Sequence, residues 1–366
     1  MKRAFVSLVA AAVVCAPSRG AFARASSELA SPAVRALPAA PSASAEDAPR
    51  ELAFRVAPGT KLARRLSIAH DMQLGSLVAH TGRGEPQRTA PDLAIVTKLE
   101  LELDDDVLAV AERRPERLRR SFAKGLFHVE LGPRAAAKKA AYDVRTPLES
   151  NSVVYTWVPE ESGYGRYYDA REDVEEHLAG LRQDVDQLAL LPAAPVRAGD
   201  AWAVPAERLA DLFAPCGRLP YAWPKELDRA MVRTLSSGIG GGLSEVFGGT
   251  AKGAAKAVLA RIERQGEVEL AIVTLEFDLD LERDQADVLR QRGSLDEAQG
   301  SAGAAHVRWR FRGTGELAWN LGAGRAERLR IEGDETVSAR IQLDKAGSVR
   351  QELELTGRLV IENGLR

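Results

Sequence analysis

LEFDLDLE, residues 275–282, places Leu275, Phe277, Leu279 and Leu281 on one parity and Glu276, Asp278, Asp280 and Glu282 on the other. A period of two turns successive side chains to opposite faces of a strand, so this stretch is a strand with one buried and one wet face. The same alternation continues around it. Val307, Trp309 and Phe311 alternate with Arg308, Arg310 and Arg312, and Leu317, Trp319 and Leu321 follow. Leu329 and Ile331, then Val337, Ala339, Ile341 and Leu343, then Leu353, Leu355, Leu359 and Ile361 complete the C-terminal third. Short turns such as Gly322-Ala323-Gly324 join these strands, which predicts an antiparallel meander with one apolar and one charged face.

Towards the N-terminus the pattern is similar but less regular. Ile95, Leu99, Leu101 and Leu103 alternate with Lys98, Glu100 and Glu102, and Asp104-Asp105-Asp106 reads as the turn that follows. Arg117 to Phe122 fits a strand or a short helix. Val153 to Val158 and Tyr164 to Tyr168 form a hairpin across the Pro159–Gly163 linker, and Trp202 sits in a short strand after a Gly199-Asp200 turn. Between residues 171 and 190 the period changes. Val174, Leu178, Leu181, Val185 and Leu188 are spaced four, three, four and three apart, which predicts an amphipathic helix ended by Pro192. A second helix is expected from Pro205 to Phe213, since proline suits a first helical turn. The expected fold is therefore α+β, mainly antiparallel β: a curved sheet or half-barrel with central helices packed on one face.

Lys2 and Arg3, the apolar run from Ala4 to Ala16, and the small residues Ala21, Ala23 and Ala25 form the three-part pattern of a secretory signal. Residues 1–23 are thus expected to direct export to the periplasm or the extracellular space. Cys15 follows Val14, not the small residue that a lipid-attachment site requires, so lipidation is not expected. Residues 24–50 are rich in Ala, Ser and Pro and read as a disordered linker. The body then divides into 51–200, a β-rich unit with the 171–190 helix, and 201–366, a helical and glycine-rich part (236–253) followed by the meander. One sheet or two stays open. After cleavage Cys216 is the single thiol, which excludes an internal disulfide, and its expected role is a buried small hydrophobe.

The formal net charge is −2, without a long basic run. A nucleic-acid partner would need a concentrated positive footprint, so none is expected. No apolar run after the signal approaches the roughly 20 residues of a membrane-spanning helix.

No motif specifies a reaction. Ser121-Phe122-Ala123-Lys124 and His80-Thr81-Gly82 stand in the reverse of the order that serine acyl-transfer enzymes use. Gly248 to Gly253 lacks the Lys-Ser/Thr ending of a phosphate loop, and Leu243 stands where a dinucleotide fingerprint needs glycine. Glu172, Asp173, Glu175, Glu176 and His177 fit a solvated acidic face at a helix N-terminus better than a metal site. No metal and no cofactor is expected. Ligand pockets favour aromatic walls, which makes Trp202, Phe213, Trp223 and Trp309 the candidate ligand-binding residues.

The segment from Leu191 to Trp202 carries Pro192, Pro195, Val196, Gly199, Asp200 and Trp202 in a Pro-x-x-Pro-Val-x-x-Gly-Asp-x-Trp arrangement. It resembles a segment of a family of exported bacterial proteins, over about Thr146 to Trp202, and implies no known activity. The first expectation is a non-catalytic exported protein that binds an apolar ligand or a partner, a lipid or an envelope protein, on its sheet. That reading expects an open apolar cavity beneath the helices. The alternatives are a hydrolase whose site is assembled from distant residues, with a polar cleft of perturbed groups, and a structural envelope protein with neither.

Overall fold

A computed structural model describes residues 48–81, 84–90, 92–134, 136, 139–169, 175–224, 250–284, 305–342 and 349–366. The signal sequence with Cys15, most of the linker, the first turn of the expected 171–190 helix and most of the glycine-rich part lie outside these residues.

The strands are β1 (Lys61–Thr81), β2 (Gln87–Thr89), β3 (Ala94–Ala111), β4 (Arg114–Gly132), β5 (Ala140–Arg145), β6 (Ser152–Val158), β7 (Gly163–Tyr168), β8 (Ala201–Pro205), β9 (Thr250–Gln265), β10 (Val268–Asp284), β11 (Ala305–Asn320), β12 (Arg325–Gln342) and β13 (Val349–Leu365). They form one 13-stranded sheet in the order β7-β6-β4-β3-β1-β13-β12-β11-β10-β9-β8, with β2 beside β1 and β5 beside β4. Every strand pair is antiparallel. β1 and β13 lie side by side, Ile68 opposite Ile361, so the first and last long strands join the two halves of the sheet.

The α+β expectation is overturned. Among the described residues the only α-helix is the single turn α1 (Ala210–Phe213), preceded by a 3-10 turn at Ala206–Leu209. Over residues 175–190 the expected helix does not form, because the chain there pairs with a neighbouring segment instead of with itself. Its only helical turns there are the 3-10 turns Glu175–His177 and Leu188–Leu190. Leu181 bridges to Gly217, Arg182 donates its N–H to the Cys216 carbonyl, and Arg218 donates to Gly180. A Cβ on Gly180 would lie 2.7 Å from the Cβ of Arg218, so the close approach requires glycine. The spacing of apolar residues that looked helical comes from an extended segment whose alternate residues Leu181, Gln183 and Val185 are buried.

Asp104-Asp105-Asp106 is likewise no turn. It lies inside β3, and the chain reverses at Glu112-Arg113, both with positive φ (47° and 63°), as a two-residue hairpin loop of type I′ needs.

One face of the sheet is apolar. Over it lie residues 48–57 and the irregular segments 175–200 and 206–222, together here called the cap. Leu190, Val196, Leu209 and Phe213 of the cap pack on the β8–β13 half, and Leu178, Leu181, Val185, Cys216 and Leu219 pack on the β1–β6 half. The opposite face carries cross-strand ion pairs, among them Arg330 with Glu362, Arg358 with Glu332, Arg308 with Asp280 and Arg340 with Glu352. A barrel wall in lipid needs an apolar outward band; this outward face is built for water.

Candidate functional site beneath the cap

Three charged residues stand on the apolar parity of neighbouring strands. Arg64 shares its face with Leu62 and Leu66 on β1, Asp105 with Leu103 and Val107 on β3, and Arg120 with Leu118 and Phe122 on β4. The register sets Asp105 directly opposite both Leu62 and Arg120. Burying such charges is costly unless they pair. Arg120 grips Asp105 with two bonds, Nε to Oδ1 at 2.7 Å and Nη2 to Oδ2 at 2.9 Å. Arg64 Nε lies 3.4 Å from Asp105 Oδ2, an ion pair without hydrogen-bond alignment. Arg64 also pairs with Asp186 of the cap. Burial opposes the charge of Arg120, but Asp105 outweighs it and holds the guanidinium well above its ordinary pKa.

The cap encloses this network. Arg120 Nη1 points at Cys216 Sγ, 3.7 Å away, and its guanidinium lies over the ring of Tyr155. Burial pushes the Cys216 thiol up to about 11, so it is an unreactive thiol at neutral pH, in keeping with a structural cysteine. Burial raises the Tyr155 phenol as well.

Beside the network lies a small cavity of about 20 Å³, the room of one water molecule. Asp184, Gln187, Asp211, Asn363, Ile361 and Leu329 are among its walls. Asp184 keeps part of its surface exposed, yet its carboxyl lies deep among protein atoms, and this dense surrounding governs its proton affinity. Burial first, then the charges of Asp186 and Asp211, push Asp184 up to about 7. Burial also raises Asp211, against the pull of Arg182 at 3.0 Å.

A second polar group crosses the sheet further along. His70 Nδ1 lies 2.7 Å from Glu335 Oε1, and Trp309 Nε1 donates to Glu335 Oε2 at 3.0 Å. Thr97 stands opposite His70 on β3, and its hydroxyl has no partner among the described residues. Hydroxyl, imidazole and carboxylate are the types of a nucleophilic triad. At 1%, 6% and 2% exposure they are closed to any substrate, and the group acts as a satisfied buried pair. Ser121 and Lys124 also part company: Ser121 meets Ser152, and Lys124 meets Glu100. Among the described residues no three His, Cys, Asp or Glu side chains converge as metal ligands.

The structure brings two of the four aromatic candidates together. Phe213, on α1, inserts its ring among Trp309, Phe311 and Phe277, with centroids 5.0, 5.3 and 6.0 Å away. The Phe311 ring lies over Gly313, where a Cβ would come within 2.6 Å of it. Trp202 packs at the margin of the same cluster and donates Nε1–H to the Leu190 carbonyl at 2.9 Å. Trp223 belongs to a different cluster, edge-on to Phe127 at 6.2 Å and beside Tyr221. The open apolar cavity expected beneath the cap is filled by side chains among the described residues.

Sequence reasoning missed Arg64, Asp105 and Arg120. The signal was present, since each is a lone charge on an apolar parity.

These features define the class of the described residues: an open, nearly all-β antiparallel sheet whose apolar face is covered by an irregular cap. No family model and no curated protein matches the chain. Among solved structures it is similar to the crystal structure of an outer membrane channel from Pseudomonas putida F1, at 7% identity over 84% of this chain and 97% of that one, with a TM-score of 0.20. So low a score carries no argument about fold or function.

Proposed function

We propose that the protein is a non-catalytic exported protein that binds a partner chain at the β7 edge of its sheet. The observation that carries this is the composition of that edge. Tyr167 is 43% exposed and accepts a bond from Arg117 at 2.8 Å. Trp157 and Tyr164 pack edge-on at 5.1 Å, and the Arg114 guanidinium stacks 4.1 Å from the Trp157 ring. Tyrosine, tryptophan and arginine dominate the energetic centres of protein interfaces. β7 ends the sheet order, and an end strand can take up an extended segment of another chain. His70 and Glu335, and Asp105 with Arg120, are by contrast buried in mutual pairs. Export rests on the signal pattern of residues 1–23 and on the resemblance around Trp202.

The test is site-specific photocrosslinking in the native host. A crosslinker at 167 gives a discrete adduct. Val268, the other exposed large hydrophobic residue among the described residues, is the control. Equal adducts at 167 and 268, or none at 167, refute the reading.

A second reading has the Phe213 cage in its favour. Phe213 fills a socket of three aromatic rings, and an apolar ligand displacing it would meet Trp309 and, at the margin, Trp202. Native mass spectrometry of the protein from its host would then show a lipid-sized adduct; a clean apoprotein mass removes this reading.

A further inference from the structure

We propose that Asp184 is a proton-binding site at the junction of cap and sheet, and that this one proton decides how firmly α1 and Phe213 are pressed onto the sheet. The inference is independent of edge binding at β7.

One carboxyl beneath the cap is left without an ion pair among the described residues. Arg120 and Arg64 hold Asp105, Arg64 also holds Asp186, and Arg182 holds Asp211 at the rim. Those three carboxylates are matched, whereas Asp184 has no ion pair among the described residues; Arg166 of β7, a further guanidinium at the rim, is engaged with the Leu181 carbonyl. Asp184 Oδ1 accepts the Asp186 N–H at 2.8 Å, which fixes the carboxyl in place. Around it stand Asp186 from its own segment, Asp211 from α1, Arg64 from β1 and Tyr164 from β7. Gln187 and, from β13, Asn363 line the cavity with it. Asn363 is 5% exposed, donates Nδ2–H to the Val185 carbonyl, and leaves its Oδ1 without a partner. An acceptor left empty in the wall of a water-sized cavity suits a protonated carboxyl, directly or through one water, and opposes an ionised one.

The consequence runs through α1. Asp211 and Phe213 are on the same helical turn. When Asp184 ionises, its repulsion of Asp211 and Asp186 pushes on the turn that seats Phe213. The carboxyl is raised from 3.8 to about 7, so the folded protein holds a proton that the unfolded chain releases. Stability from this group is complete below the unfolded value, falls as pH rises towards 7, and is gone above it.

Urea unfolding of the full chain across this range is the test, with Asp184→Asn as the variant that cannot ionise. Relative to Asp184→Asn, the wild-type unfolding constant rises about tenfold per pH unit between about pH 4.5 and 6.5 and levels off above about pH 7.5. Hydrogen exchange on the wild type alone gives a second readout. The Ala214 and Leu190 amides, bonded to Ala210 and Gln187 carbonyls, lose protection from pH 6 to pH 8 after correction for intrinsic rates. A variant with the wild-type pH slope, or cap amides equally protected at both pH values, overturns the proposal.

Discussion

Replacing Asp105 by alanine removes the acceptor of two charge-assisted bonds from Arg120 and the counter-ion of Arg64. Arg64 and Arg120 are 1% and 0% exposed, so neither guanidinium can turn to water. Asp186 is left as the remaining carboxylate bonded to either of them. Orphaning a buried partner costs about 3–5 kcal/mol; Arg120 is orphaned outright while Arg64 keeps Asp186, which places Asp105→Ala within that range, about 4 kcal/mol. Against a domain stability of about 5–15 kcal/mol this is a large fraction of the total. The assay is urea unfolding followed by far-UV circular dichroism, with the slope checked so that the midpoint shift reports stability. The companion is the fourfold variant Arg64→Met, Asp105→Leu, Arg120→Met, Asp186→Asn, which removes the charges together. An apolar replacement of similar volume is commonly neutral or stabilising by about 1–4 kcal/mol, so this variant should fold with near wild-type stability. A loss below about 1 kcal/mol for Asp105→Ala would refute the assignment of these residues as a mutually dependent buried network.

Phe213→Ala empties the socket formed by Phe277, Trp309 and Phe311 and costs about 3–5 kcal/mol by the same unfolding measurement; a loss under about 1 kcal/mol would mean that Phe213 does not occupy it. The native protein at pH 8 reacts with a thiol reagent at Cys216 orders of magnitude more slowly than the urea-unfolded chain, because the thiol is buried and raised to about 11. Labelling at the unfolded rate would show that the cap does not close over it.

The strands were legible because an alternating pattern needs nothing beyond neighbours. Residues 275–282 read the same in sequence and in β10, and the Pro159–Gly163 hairpin and the Trp202 strand are where the alternation puts them. The cap was not legible. An extended segment that pairs by backbone with residues 216–218 leaves no periodic trace of its partner, and five apolar residues at helical spacing outweighed Gly180, the one residue that spoke against a helix. The charged network was missed for a related reason. Three consecutive aspartates have the composition of a turn, whereas parity counted from Leu99, Leu101 and Leu103 sets Asp105 on the buried face. At Asp105 composition overrode period.

The irregular cap also explains several polar residues that would otherwise invite a functional reading. A sheet satisfies its own backbone, but a cap without regular structure brings carbonyl groups into the interior that need donors. Side chains supply them. Asn363 on β13 and Gln187 both donate to the Val185 carbonyl, Trp202 donates to Leu190, and Arg166 on β7 donates to Leu181. Arg64, through Asp186, ties the same segment to β1. Trp202 therefore has a definite task in the fold, one N–H on one cap carbonyl, whether or not a ligand ever reaches its ring. Apart from Gln187, these donors sit on β1, β7, β8 and β13, in both halves of an open sheet. The cap thus bridges the two halves of the sheet, and Asp184 within it stands between Tyr164 of β7 and the turn that carries Phe213.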